Sequence, residues 1–162
     1  MENKNLISST EYEIYTAVCQ QTNLFLFNRP DTIFNDYTSD ERLHRTNDKE
    51  RFWGDLKYKL IIHKGLIEDY ETKNACQWTL EKQFYVENGY RFVSELAPEK
   101  TNKARGAFTL SRVGFSSSLK YALVHIAYPV CGYYLLFRDK GTHWEQIKYC
   151  MSFHAVLRDV GS

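Results

Sequence analysis

Proline and glycine are scarce in this chain, 3 and 8 among 162 residues, and that scarcity excludes linker-like and low-complexity classes, which are rich in both. No apolar run approaches the roughly 18 residues of a membrane-spanning helix, so no membrane span is expected. The four cysteines, Cys19, Cys76, Cys131 and Cys150, include no CxxC pair. Zinc ligands usually arrive in such close pairs, so no metal, and no other cofactor, is expected. A dominant charge is missing too: 21 basic against 20 acidic side chains leave +1. Nucleic acid is therefore not an expected partner, because a basic stripe is what its phosphates require. The nearest approach is Lys100, Lys103, Arg105 and Arg112, diluted by Glu95 and Glu99. The opening Met1-Glu2-Asn3-Lys4-Asn5 lacks the apolar core of a signal peptide. The chain as written is expected to be cytoplasmic, with an exported or lipid-anchored form as the alternative if a signal has been removed.

Aromatic side chains are plentiful: 12 Tyr, 10 Phe and 3 Trp. Tyrosine suits half-buried sheet surfaces, where the ring is covered and the hydroxyl finds a partner. A chain of this length buries roughly 70% of its unfolded surface without metal or disulfide staples. The expectation is a single α+β domain over 1–162, helix-rich across 10–85 and sheet across 90–153. N-terminal helices should pack on a C-terminal antiparallel β-meander of four to five strands.

The spacing predicts a first helix capped by Thr10 with Glu13 in a capping box, carrying Ile14, Tyr15, Val18 and Cys19 on one face and ending at Asn23. Leu24 to Phe27 is too short to assign, and Thr32 to Asp36 is a candidate strand. Phe52, Leu56, Leu60 and Ile61 fall on one helical face, and Leu66–Lys73 reads as a second short helix with Asn74 at its C-terminal end. Asn88-Gly89 is a turn leading into a strand at Tyr90 to Ser94. From residue 107 onward alternation and turn chemistry agree. Strands are expected at 108–113, 121–128, 132–138 and 144–153, joined by short connections and therefore antiparallel. If the last hairpin turns on Lys140-Gly141 as a two-residue loop, Cys131 falls opposite Cys150. That would place a cross-strand thiol pair within disulfide reach, with Tyr134, Leu136, Ile147 and Tyr149 on the core face.

The second half also carries Ser111-Arg112-Val113-Gly114-Phe115, then Ala122-Leu123-Val124, then Cys131-Gly132-Tyr133-Tyr134-Leu135-Leu136, then Gly141 with Trp144. This phrase resembles a widespread group of bacterial proteins, many from Bacteroidetes, as does the opening Glu11-Tyr12-Glu13-Ile14-Tyr15. The resemblance covers roughly residues 105–148 and implies the meander architecture. No reaction is established for the group, so it implies no catalytic residue.

Candidate sites are few. A Cys131–His125 dyad needs the two side chains within hydrogen-bond reach, and a His125–His154 metal pair has no carboxylate beside it. Glu68, Asp69 and Glu71 should mostly face solvent on their helix. Ser117 lacks the second glycine of a nucleophile elbow, and Gly114 through Ser118 reads as a turn rich in small residues. Arg112, in a strand among apolar neighbours, is the residue to single out, since it should hold a carboxylate of this chain or of a partner. The candidate binding residues are Arg112, His125, Tyr128, Tyr133 and Trp144, with Cys131 and Cys150 as the thiol pair. The leading expectation is a non-catalytic protein-interaction module, of inhibitor or immunity type, with a protein partner. The alternative is a small-molecule binder or hydrolase with a pocket between helices and sheet. A closed core with an exposed aromatic patch favours the first, and a deep pocket lined by titratable groups the second.

Overall fold

The structure is a computed structural model. It describes residues 7–21, 33–35, 38–39, 65–81, 84, 91–93, 107–128 and 131–154. The expected elements at 24–27, the helical face of Phe52 to Ile61, the stop at Asn23 and the turn at Asn88-Gly89 lie outside the described residues.

Helix α1 spans Ser9–Gln21. Its cap is Ser8 rather than Thr10. The Glu11 N–H donates to Ser8 Oγ at 3.3 Å, and the Ser8 N–H donates to Glu11 Oε2 at 2.9 Å. That reciprocal pair is a capping box two residues earlier than the spacing of Thr10 and Glu13 suggests. Strand β1 is Ile33–Asn35. Helix α2 occupies Leu66–Lys73 and ends on Asn74, whose N–H donates to the Tyr70 carbonyl. Strand β2 is Arg91–Val93.

The rest is sheet: β3 Ala107–Leu110, β4 Gly114–Phe115, β5 Tyr121–Tyr128, β6 Cys131–Asp139 and β7 Trp144–His154. The strand order is β2-β1-β3-β5-β6-β7, with β4 also paired to β5. The pairs among β3 to β7 are antiparallel, as alternation and short turns require. The strands β2 and β3 flank β1 in parallel, extending the meander at one side. The molecule is therefore α+β with a mostly antiparallel sheet.

Alternation across the sheet feeds two cores. Ala122, Val124, Ile126, Leu135, Phe137 and Trp144 join α1 residues Tyr12, Ile14, Tyr15 and Val18. The alternate positions Leu123, Tyr134 and Leu136 meet Leu66 and Tyr70 of α2. The helices thus cover opposite faces. The face of Leu135 and Phe137 carries the larger core, which corrects the expectation that Tyr134, Leu136, Ile147 and Tyr149 form the better one: Ile147 and Tyr149 are exposed.

The cross-strand cysteine pair is also corrected. Cys131 pairs with His154, and Cys150 with Tyr134. Two causes act. The hairpin loop is Lys140-Gly141-Thr142-His143, closed by a Lys140 N–H to His143 carbonyl bond at 2.9 Å, so Asp139 pairs with Trp144. Gly141 takes φ 88°, and its N–H donates to Asp139 Oδ1 at 2.7 Å. Register shifts between Leu136 and Phe137 and between Gly132 and Tyr133 then move β7 further along β6.

Candidate functional site

The strand expected at 108–113 breaks after Leu110, and that break builds a densely hydrogen-bonded junction among the described residues. Leu110 pairs with Ile126 and Gly114 with Leu123, so the three residues Ser111, Arg112 and Val113 stand against only Val124 and His125. This is a bulge. Ser111 substitutes for the lost ladder: its N–H donates to the His125 carbonyl at 2.9 Å, and its hydroxyl accepts the His125 N–H at 2.8 Å. Asn74 fills the outer side, its Oδ1 accepting from the Arg112 N–H at 2.8 Å while Nδ2 donates to the Arg112 and Tyr70 carbonyls. The peptide groups around Arg112 are thus paired by side chains rather than by a strand.

The Arg112 side chain enters the protein. Nε donates to Glu11 Oε1 at 3.1 Å and Nη2 to Glu11 Oε2 at 2.9 Å, a two-point pair in which Glu11 is fully buried. Glu11 also accepts from the Val113 N–H at 3.1 Å and from Ser8. The guanidinium lies 4.4 Å from the Trp78 ring centre, a favourable cation–π position. Burial by itself pushes the Glu11 carboxyl up. The Arg112 guanidinium, the Ser8 N–H and the nearby Lys73 outweigh that and hold it below its ordinary value. The fully buried Tyr15 donates its hydroxyl to the Ser111 carbonyl at 2.8 Å, and burial drives its pKa well above the ordinary value.

Lys73 continues the junction, donating to the Val113 carbonyl at 3.0 Å and pairing with Asp69 at 2.8 Å. Asp69 accepts from the Phe115 N–H at 2.7 Å, so it leaves the solvent-facing role expected of it, while Glu68 and Glu71 keep theirs. Of the candidate residues, Arg112 has found its carboxylate, and the carboxylate is internal.

The other candidates do not converge on it. His125 is fully buried inside β5, its ring 4.6 Å from that of Tyr134. Tyr128 is the β5 residue paired with Cys131, which leaves His125 three residues along the strand from that cysteine's level, roughly 10 Å at the usual rise. His154 stands level with Cys131 and His125 with Tyr134, so the register sets the two histidines apart. Tyr133 packs half-buried at the margin of the larger core. Trp144 is buried against Phe115, its ring centre 6.1 Å away. Cys19 is a covered thiol whose pKa burial pushes up to about 12, far from nucleophilic. Among the described residues no three His, Cys, Asp or Glu side chains gather as a metal site, and no helix is long and apolar enough to cross a membrane.

Two open clefts of about 310 Å³ each flank the exposed Leu119. One runs between Thr10, Glu13 and the 139–144 hairpin, the other beside Gly65, Asp69 and Lys73. Neither is lined by Arg112 or His125.

Sequence reasoning missed Glu11 and Asn74, and it placed the exposed Ile147 and Tyr149 on the core face. The spacing Ser8-x-x-Glu11 is itself a capping-box signal and could have pointed to Glu11. Asn74 and the bulge leave no local signal, because both depend on which strand lies opposite. On β7, Tyr149 is 56% and Ile147 41% exposed, and the Tyr149 ring meets that of Tyr133 edge-on at 6.3 Å. No family model, curated protein or solved structure matches this chain, so the resemblance to the bacterial group rests on the residues that carry it.

Proposed function

We propose that this chain is a non-catalytic protein-interaction module that holds a protein partner on the outer part of β7. The observation that carries the reading is the contrast between the two ends of the sheet's chemistry. Arg112, Glu11 and Asn74 are consumed by one another, whereas Tyr149 and Ile147 offer apolar surface to solvent beside the half-buried Tyr133. Tyrosine contributes large contact area at low entropy cost, and a few such side chains dominate interface energies. An inhibitor or immunity role is the class of interaction that a near-neutral domain whose Arg112, Glu11 and Asn74 bond within the chain suits best.

The test is affinity capture from a host extract with the wild-type chain beside a Tyr149→Ala, Ile147→Ser variant, read by quantitative mass spectrometry. Loss of about 2 kcal/mol at a central aromatic weakens binding roughly 30-fold. A protein enriched by the wild type and lost with the folded variant supports the reading. A partner retained equally by both places the interface elsewhere and overturns it.

A further inference from the structure

Among the described residues, β7 is an edge of the sheet, and it is 11 residues long. Such an edge presents a row of N–H and C=O groups that invites another strand. The last residue of α1 intervenes there. Gln21 Nε2 donates to the Trp144 carbonyl, and Gln21 Oε1 accepts from the Gln146 N–H at 2.9 Å. Trp144 and Gln146 are two apart, the spacing at which an edge strand turns backbone groups to the same outer side. A primary amide carries a donor and an acceptor side by side, as a peptide group does. The Gln21 side chain therefore stands where an added strand would bond. Just beyond it, Ile147 has no partner in β6, which marks a bulge, and across that bulge Glu145 and Lys148, level with Arg138 and Leu136, share one face of the sheet.

We propose that Gln21 is an edge guard, occupying the β7 backbone positions through which a second copy of this chain would otherwise pair. The strand's own charge pattern names the occupant. Two antiparallel copies of β7, related by a twofold axis midway between Gln146 and Ile147, set each Glu145 opposite the other copy's Lys148, a stabilising cross-strand pair. The same axis sets Trp144 level with Tyr149, and the exposed Ile147 and Tyr149 lie along the joined edges. An isologous contact of this kind closes at two copies. In the single chain Glu145 is instead held by Arg138 at 3.2 Å and Lys140 at 3.5 Å, and Lys148 has an interaction of its own, all of which opposes the exchange.

Sedimentation velocity over a range of concentrations tests this with the chain alone, with no other partner needed. The wild type should sediment as one copy, and Gln21→Ala should self-associate at least about tenfold more tightly, a difference of about 1.4 kcal/mol. Gln21→Glu, which keeps the acceptor for Gln146 and loses the donor to Trp144, should fall between them. Adding Lys148→Glu to Gln21→Ala should restore the single copy by placing like charges together. A folded Gln21→Ala chain that stays single, a wild type that pairs as strongly, or a Lys148→Glu change without effect each overturns the proposal. Should Gln21→Ala fail to fold, amide exchange decides. A slow Gln146 N–H in the wild type that stays slow in Gln21→Glu, which keeps its acceptor, and speeds up in Gln21→Met, which fills the same space without one, supports the guard, and a fast one in the wild type removes it.

Discussion

Glu11 shows how one side chain can be asked to do three things at once. It closes the capping box of α1, accepts the Val113 N–H across the bulge, and neutralises a buried guanidinium. Because its pKa is held below the ordinary 4.5, the sign of its contribution follows. The stabilisation is fully present above about pH 4.5 and is lost as pH falls through the lower folded value. Acid titration of unfolding free energy should therefore show a loss below pH 4.5 that Glu11→Gln largely removes, at the expense of stability at neutral pH. An unchanged acid slope in the variant would mean that other carboxylates carry it. Arg112 was legible as a residue in need of a carboxylate. Its partner was not, because 101 residues separate the two and only the fold joins them.

At the scale of elements, helix α2 and the strands after residue 107 were readable because period and turn chemistry agree along each of them. The register of β6 on β7 was not readable. A hairpin loop of two or four residues looks alike in sequence, and a bulge carries no composition mark when its extra residue is an ordinary Ile147. Gly114 was misread in a similar way. It suits a turn on local grounds, yet it lies in β4, paired with Leu123. A Cβ built there would come within 2.5 Å of Tyr70 Cβ and 2.7 Å of Tyr70 Cα. The glycine is needed because α2 crosses the strand at backbone contact. Gly114→Ala should then destabilise the chain by about 1–3 kcal/mol through forced separation of α2 from the sheet, measured by urea unfolding. A neutral result would show that α2 can retreat freely, and would loosen the assignment of Leu66 and Tyr70 to the second core.

Among the described residues the molecule is a sheet with a helix on each face, and those two helices meet through a junction at Arg112. Asn74, at the end of α2, holds the Arg112 backbone, while Glu11, in the first turn of α1, holds its side chain. The α+β class and the division of the chain into helical and sheet halves could be read from periodicity. The parallel addition of β1 and β2 could not, because their pairing with β3 is set by segments far apart in the chain. The central claim is that Arg112 ties the layers together through its pair with Glu11, and a double-mutant cycle between Glu11 and Arg112 tests it most directly. Glu11→Gln and Arg112→Met should each cost about 3–5 kcal/mol by leaving a buried partner unpaired. The double variant should cost less than their sum by about 2 kcal/mol, as expected for two groups in direct contact. Additive effects within about 0.5 kcal/mol would contradict the account, since they would leave Arg112 energetically independent of Glu11 and available for a partner's carboxylate.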